Sequence, residues 1–251
     1  MNPEAYLERI SYRGSLTPTA ETLKQLQVAH LLTVPFENLS IHAGEPIVLD
    51  DESLFGKIVG RRRGGFCYEL NGLFAALLRA LGFDVAMLSA AATSAEEEFG
   101  PDFDHMVLMV TLEERWLVDV GFGDSFLEPL LLDYREEQVQ GERGYRIDAE
   151  GDHLILRQRD RNSAWDAQFR FTLKPYQYAD YAEMCHYHQT SSESHFTQRR
   201  VCSRATPEGR VTLSGMRLIT TENGERHEQE LEDEAAYAKA LRTCFGIVMA
   251  G

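Results

Sequence analysis

The sequence predicts an α+β fold in which helices come first and an antiparallel sheet or barrel follows them. Apolar residues in the first 82 positions recur at the spacing of amphipathic helices. Residues 83 to 174 instead contain runs that alternate with a period of two, which is typical of strands. Farther along, Asn223-Gly224 lies between two extended runs and indicates a β-hairpin, and a final helical stripe closes the chain.

Three helices are predicted in the first part of the chain. Thr17 can cap the first of them, and Pro18 suits its first turn because the missing N–H costs nothing there. A short amphipathic helix is expected over 52–61. The third helix begins at Cys67 and ends at Gly82. Its apolar stripe contains Leu70, Leu73, Phe74, Leu77, Leu78 and Leu81.

The strands come next, separated by polar connections. A loop is expected over 93–104 and a turn at 161–163. A helix is predicted at 178–188 and another at 232–248, on either side of the hairpin. The predicted strands are 83–91, 105–112, 115–123, 153–159 and 165–173.

Composition and charge exclude several classes of function. The 251 residues carry a formal charge of −15, which argues against a general binder of nucleic acid or of anionic membranes. No apolar run approaches the roughly 18 residues that would span a bilayer, and no secretory signal is evident. The four cysteines are scattered, which predicts free thiols and a cytoplasmic location.

Cys67 lies at the junction between a loop and a predicted helix. It directly follows Arg61 to Arg63, Gly64, Gly65 and Phe66. Because a helix begins there, unpaired N–H groups and the positive end of the helix dipole favour a thiolate, and nearby arginines would help. The glycines allow a close approach of backbone or a positive φ. The sequence therefore predicts a nucleophile at Cys67, with a buried, inert thiol as the alternative.

A nucleophilic cysteine needs a base and a group that orients the base. His105 begins one predicted strand, and Asp119 lies near the end of the next, where a carboxylate among valines is costly unless it is paired. A tight turn at Glu113-Glu114 would leave Asp119 three residues out of register with His105, whereas direct opposition needs a loop centred on Leu112. A strand-edge histidine and a strand-end carboxylate are the alternatives.

Five segments together resemble the arylamine N-acetyltransferases, in the same order along the chain. The resemblance runs from about Tyr6 to about Arg200, and Asp124 departs from it by following "GFG" where another glycine is common. The segments are "VPFENLSIH", "RRGGFCYELN", "HMVL", "DVGFG" and "SSESHF".

The resemblance implies a helical bundle over 1–82, a β-barrel over 83–188 and a smaller α/β lid over 189–251, around a papain-like Cys-His-Asp core. It also implies ping-pong acetyl transfer by Cys67, His105 and Asp119. Acetyl-CoA is the implied cosubstrate, no tightly bound cofactor or metal is implied, and arylamines, arylhydroxylamines or hydrazines are the acceptors.

The same resemblance assigns an acceptor pocket and a coenzyme A contact. Phe36, Phe122 and Phe196 match aromatic positions that line the acceptor site of the family, and each has core packing as its alternative. Gly123 would permit the pantetheine arm to come close.

Three other functions remain open from the sequence. An amide synthase of the same fold, which closes a macrolactam from an acyl chain on a carrier protein, would have the same three residues. A cysteine peptidase or transglutaminase-like enzyme shares the Cys-His-Asp order. A non-enzymatic zinc module is conceivable because Cys185, His186, His188, His195 and Cys202 lie within 18 residues.

Overall fold

The computed structural model describes residues 1–93, 98–161 and 163–249. The predicted loop over 93–104 and the predicted turn at 161–163 therefore fall partly outside the described residues. In the described parts of the chain, no helix is both long and apolar enough to cross a membrane. The α-helices are α1 (Pro3–Arg9), α2 (Ala20–Thr33), α3 (Leu39–His42), α4 (Asp51–Phe55), α5 (Cys67–Ala80), α6 (Ala182–Thr190), α7 (His195–Gln198) and α8 (Glu234–Phe245).

Two of the predicted helix starts can be compared directly with the structure. Helix α5 begins at Cys67 as predicted, and Gly82 follows its end with a φ of 91°. The cap predicted at Thr17 is wrong, because Thr19 accepts a hydrogen bond from the N–H of Thr22 and α2 begins at Ala20. Thr19 is the cap because its backbone is extended directly before the helix, which lets its side-chain oxygen accept from the third N–H of the first turn.

An eight-stranded antiparallel sheet forms the barrel, in the order β5-β4-β3-β2-β9-β8-β7-β6. Its inner face packs around a cluster that includes Leu88, Val107, Leu117 and Phe169. Strand β4 is shorter than predicted, since it ends at Val118 and the chain leaves the sheet before Asp119. The strands are β2 (Asp84–Ala92), β3 (His105–Thr111), β4 (Arg115–Val118), β5 (Leu130–Leu131), β6 (Gln138–Gln140), β7 (Arg143–Glu150), β8 (His153–Asp160) and β9 (Asp166–Tyr176).

Side-chain amides bridge the two edge strands of this sheet. Gln138 accepts from the N–H of Leu131 over 2.8 Å and donates to the carbonyl of the same residue over 3.0 Å. Gln140 makes the same pair of contacts with Glu128, at 3.0 and 2.7 Å. The amides thus take the place of main-chain pairing and nearly close the barrel.

A second, five-stranded antiparallel sheet joins the two ends of the chain. Its order is β1-β10-β11-β12-β13, so that β1, which lies in the N-terminal helical region, pairs with β10. The predicted hairpin is confirmed, with Asn223 and Gly224 at φ of 51° and 84° between β12 and β13. The strands are β1 (Phe36–Glu37), β10 (Val201–Thr206), β11 (Gly209–Ser214), β12 (Arg217–Glu222) and β13 (Glu225–Glu230).

Helix α5 is the central element of the N-terminal core. All of its residues from Cys67 to Leu78 are buried, and it packs against β2 and β3 of the barrel. Helices before a predominantly antiparallel barrel confirm the predicted α+β class. The division into segments at 82 and 188 stays a prediction, and β1 shows that the first and last segments share a sheet.

Candidate active site

His105 and Asp119 are hydrogen-bonded to each other, with 2.7 Å between Nε2 and Oδ2. Both residues are buried, at 4% and 3% exposure. Thr111 pairs with Arg115, and the residues between them form a three-residue loop centred on Glu113. Continuing that register would set Asp119 opposite Val107, two places from His105 and therefore on the same side.

Neither loop considered from the sequence is the one observed. A tight turn at Glu113-Glu114 would have put the two side chains on opposite faces, because side chains alternate along a strand. The additional loop residue removes that conflict. Since the ladder ends at Val118, Asp119 is also free to leave the strand direction and approach the imidazole.

Asn71 holds Asp119 from the other side. Its Nδ2 donates to Asp119 Oδ1 over 2.9 Å and to the carbonyl of Met106 over 2.6 Å, and its Oδ1 accepts from the N–H of Val120 over 2.9 Å. The N–H of Gly121 also donates to Asp119 Oδ1, over 2.7 Å. One buried amide therefore joins the helix of Cys67, the strand of His105 and the loop of Asp119.

Cys67 lies beside this network, at the first residue of α5 and 2% exposed. The backbone N–H of Met106, the residue that follows His105, lies close enough to the sulfur to lower the pKa of the thiol. A Cβ on Gly121 would come within 2.7 Å of the Cys67 Cα, which explains a glycine at this close approach. The three predicted residues are thus brought to one place.

Burial raises the pKa of the Cys67 thiol, and the backbone N–H of Met106 acts against that rise. The arginines expected to favour the thiolate are engaged elsewhere. Arg63 forms a buried bidentate pair with Glu37 at 2.9 and 3.1 Å, and Arg61 lies 3.3 Å from Glu45. Arg61 and Arg63 are thus paired with carboxylates, and no arginine is among the causes of the pKa shift at Cys67, so the expectation that these two assist the thiol is wrong.

A second buried ion pair lies at the start of α5. Lys57 Nζ is 2.7 Å from Glu69 Oε1, and Glu69 also accepts from the N–H of Phe66 over 3.1 Å. The glycines before Cys67 serve close packing, since a Cβ on Gly64 would overlap the Pro35 carbonyl and one on Gly65 would meet Glu69. The segment from Gly64 to Cys67 is therefore held by close packing before the thiol and by the Lys57–Glu69 ion pair after it.

The predicted pocket residues lie around the site in two groups. Phe36 and Phe196 are neighbours, with 6.1 Å between ring centroids, and Phe196 also packs on Phe66 at 5.5 Å. Phe122 packs edge-on against His105 at 5.2 Å. Gly123 has a φ of 96°, and a Cβ there would lie 3.8 Å from the Phe36 ring.

Phe36, Phe122 and Phe196 are all half-buried rather than enclosed in the core. That exposure is compatible with rings that line a pocket. Asp124, which departs from the family pattern, is bound to Arg143 at 2.7 Å and to Arg210 at 3.2 Å. It connects the barrel to the C-terminal sheet beside Gly123.

The five residues considered as zinc ligands do not form a site. Cys185 accepts a hydrogen bond from Gln189, and Cys202 is in the apolar core beneath the C-terminal sheet. Among the residues that the structure describes, no group of three or more histidine, cysteine and acidic side chains could hold a metal ion.

Several site residues were not predicted from the sequence. Asn71 and Gly121 are the chief ones, together with the Lys57–Glu69 pair. Asn71 lies four residues after Cys67, which is one turn along the same helix face, so its spacing was an available signal. Gly121 and Lys57 acquire their role only from long-range packing.

Known proteins resemble this chain over most of its length. Residues 19–251 match the family model described as N-acetyltransferase. Arylamine N-acetyltransferase of Escherichia coli (strain K12) is 35% identical over 96% of this chain and 87% of its own. Proansamycin X synthase of Amycolatopsis mediterranei (strain S699) is 33% identical over 92% of each chain. The structure of Mycobacterium marinum arylamine N-acetyltransferase in complex with CoA matches with a TM-score of 0.90, at 34% identity over 98% of this chain and 93% of that one.

Proposed function

The chain belongs to the arylamine N-acetyltransferase family of acyltransferases, and on that premise we propose that it moves an acetyl group from acetyl-CoA to an arylamine, arylhydroxylamine or hydrazine through acetylated Cys67. One observation carries the proposal. A buried thiol at a helix start lies beside a histidine that is hydrogen-bonded to a buried aspartate.

In the first half-reaction, His105 takes the proton of Cys67 and the sulfur attacks the thioester carbonyl of acetyl-CoA. The bond from the carbonyl carbon to the coenzyme A sulfur breaks, and that sulfur takes the proton from His105. Free coenzyme A leaves, and a thioester on Cys67 remains.

In the second half-reaction, the amine nitrogen attacks the acetyl carbon on Cys67. The bond from that carbon to the Cys67 sulfur breaks, and His105 carries the amine proton to the sulfur. A thioester stays reactive towards a weakly basic amine, which is why a covalent sulfur intermediate suits this acceptor class. Neither half-reaction, as proposed, uses a metal or a tightly bound cofactor.

Asp119 serves as the orienting residue for His105. Its carboxylate fixes which ring nitrogen faces Cys67 and stabilises the imidazolium that forms during each proton transfer. Burial strengthens that effect, because little water competes for the charge. Asn71 and the N–H of Gly121 keep the carboxylate oriented.

Phe36, Phe122 and Phe196 are proposed to line the acceptor pocket, and Gly123 to lie against the pantetheine arm. The contacts that support this assignment are Phe122 against His105 and Gly123 beside Phe36. Coenzyme A binding is supported by the matched Mycobacterium marinum structure, whose title includes CoA.

The proposal is tested by intact mass spectrometry after incubation with acetyl-CoA alone. We expect a gain of one acetyl group, located on Cys67 by peptide mapping and removed when aniline is added. Cys67→Ser should gain none. A protein that acetylates aniline without any covalent intermediate would contradict the two-step mechanism.

The match to proansamycin X synthase favours a second candidate, an amide synthase that closes a macrolactam. Both functions use the same three residues, so the substrates must discriminate. A long acyl thioester that carries its own arylamine would be cyclised by the second function. Faster turnover of that thioester than of acetyl-CoA with aniline would favour the amide synthase.

A cytoplasmic location is part of the proposal and is supported by the thiols. Cys67, Cys185, Cys202 and Cys244 are all free. Free buried thiols are expected where the environment is reducing. Labelling of fractionated cells with an antibody to the protein would test this location.

A further inference from the structure

A cavity of about 350 Å³ lies between the residues that precede His105 and the pair of helices α6 and α7. Its polar lining consists of Asp104, His188, Glu193, Ser194 and His195. Neither half-reaction uses these side chains. Two imidazoles, two carboxylates and a hydroxyl thus surround one empty volume.

His188 has a ring nitrogen without a hydrogen-bond partner in this cavity. Only 2% of the residue is exposed, and its Nδ1 lies 3.1 Å from Ser194 Oγ. Its Nε2 has no hydrogen-bond partner, although Asp104 Oδ1 is 3.3 Å away, because the geometry of a hydrogen bond is not met. A buried imidazole nitrogen without a partner indicates a group that a ligand would complete.

One lining residue of the cavity, His188, packs against neighbours of the proposed reaction centre. The His188 ring stacks on Tyr68 with 6.1 Å between centroids and meets Phe66 edge-on at 6.4 Å, and these two residues flank Cys67. Asp104 directly precedes His105. Phe196 lies between the two regions, 5.0 Å from His188 and 6.1 Å from Phe36.

The lining favours one chemical class of ligand. Asp104 and Glu193 supply negative charge to the cavity. A hydrogen-bond donor or a cation is therefore attracted, whereas a carboxylate would face two like charges. Tyr187 presents an aromatic wall to the same space.

We propose that this cavity binds the distal substituent of the acceptor, and that it selects arylamines carrying an ammonium or another hydrogen-bond donor over arylamines carrying a carboxylate. The proposal rests on the proposed function, since the amine end of the same molecule must reach acetylated Cys67. It assigns specificity to Asp104, Glu193 and His188, which the triad leaves without a role.

The first experiment compares three acceptors. These are 4-(aminomethyl)aniline, 4-aminobenzoate and hydrazine, which has no distal end. We expect kcat/KM to be at least about tenfold higher for the ammonium-bearing acceptor than for the carboxylate, as one charge contact of this kind supplies. Equal values for the two arylamines would overturn the proposal.

Asp104→Asn tests the residue responsible, and Asp102→Asn is its matched control. Asp102 is an exposed residue of the same segment and does not line the cavity. Asp104→Asn should reduce the preference for the ammonium over the carboxylate by about tenfold, with hydrazine as the reference acceptor, while Asp102→Asn leaves that preference unchanged. An equal loss with hydrazine would show that Asp104 acts on His105 instead, and would overturn the proposal.

Binding without chemistry separates this proposal from the function on which it rests. Benzylamine and benzoate are titrated into the protein by calorimetry, with Glu193→Gln as a second variant because that exposed position tolerates replacement. Benzylamine should bind more tightly than benzoate, and Glu193→Gln should weaken it. Failure of acetyl-CoA to label Cys67 would refute the proposed function alone, whereas equal binding of the two ligands would refute the cavity.

Discussion

Asn71 donates a hydrogen bond to Asp119, with 2.9 Å between Nδ2 and Oδ1. Because Asn71 is one helical turn after Cys67, this contact connects the element that carries the thiol to the loop that carries the acidic residue. The same Nδ2 reaches the carbonyl of Met106, next to His105. The relative positions of all three proposed catalytic residues thus depend on one amide.

Replacing that amide by a carboxylate tests the dependence. Asn71→Asp should lower kcat by about 10- to 100-fold and the free energy of unfolding by about 2–4 kcal/mol, because an oxygen would then face both Asp119 and the Met106 carbonyl. The pH–rate profile should shift as well, which loss of packing alone would not cause. Asn223→Asp in the exposed hairpin is the control, and an unshifted profile in Asn71→Asp would reduce Asn71 to a packing residue.

Cys67→Ser should fold but lose activity by about 10³-fold or more, because a hydroxyl is far less acidic than a thiol. The residue is only 2% exposed, so the serine hydroxyl should occupy nearly the same position as the sulfur. Turnover of aniline measures the loss of activity, and thermal unfolding shows whether the variant folds. Cys244→Ser provides the matched control at a half-buried thiol. Turnover retained by Cys67→Ser would remove the covalent mechanism.

Asp119→Asn should reduce kcat by about 10²–10⁴-fold, since the imidazolium loses its charge partner and the tautomer of His105 is no longer fixed. A loss of about 1–3 kcal/mol in stability is also expected, because the new amide must replace a carboxylate that accepts from Asn71 and Gly121. Steady-state kinetics and urea unfolding provide both values. A near-native rate would mean that Asp119 is a strand-end carboxylate only.

The alkylation of Cys67 should report whether His105 is its base. Burial raises the pKa of the thiol, so the thiolate would form only at high pH without a proton acceptor. In His105→Asn we therefore expect iodoacetamide labelling of Cys67 to begin above the ordinary thiol range near about 8.5, and in the intact protein at lower pH. Identical pH profiles in the two proteins would contradict the pairing.

Stability in acid should depend on His30. Burial lowers the pKa of this histidine to about 3, and its Nδ1 lies 2.8 Å from the hydroxyl of Tyr6. The unfolded chain takes up a proton near pH 6.5 whereas the folded chain does not, so this stabilisation is complete above that pH and is lost as the pH falls towards 3.

Relative to His30→Gln, the native protein should lose about 1.4 kcal/mol per pH unit between pH 6 and 4. Urea unfolding at several pH values measures the difference. His227→Gln, on the fully exposed strand β13, should follow the native protein. Parallel curves for the native protein and His30→Gln would exclude a buried neutral imidazole at this position.

The sequence alone was sufficient to predict elements that depend on residues adjacent in the chain. The helix start at Cys67, the Asn223-Gly224 hairpin and the β3–β4 strand pair each depend on neighbouring residues. The pairing of His105 with Asp119 was predicted, but its register was not, because one additional loop residue decides which face a side chain occupies.

Long-range partners could not be predicted in this way. Arg63 belongs to a run of three arginines, which is typical of a protein surface. The structure instead buries it against Glu37, which is 26 residues earlier. Strand β1 consists of only Phe36 and Glu37, and two residues show no period. Both features depend on chain segments that meet only when the fold is complete.

The pairing of β1 with β10 has a consequence for synthesis on the ribosome. Phe36 must wait for Ser203, its partner in the ladder, to be translated. At ordinary rates of translation that interval is roughly 10–30 s, during which the edge of β1 that faces β10 has no partner strand. The nascent chain is therefore expected to complete this sheet only after β10 has been translated. A synonymous slowing of codons between the two strands would lengthen that interval without changing a single residue.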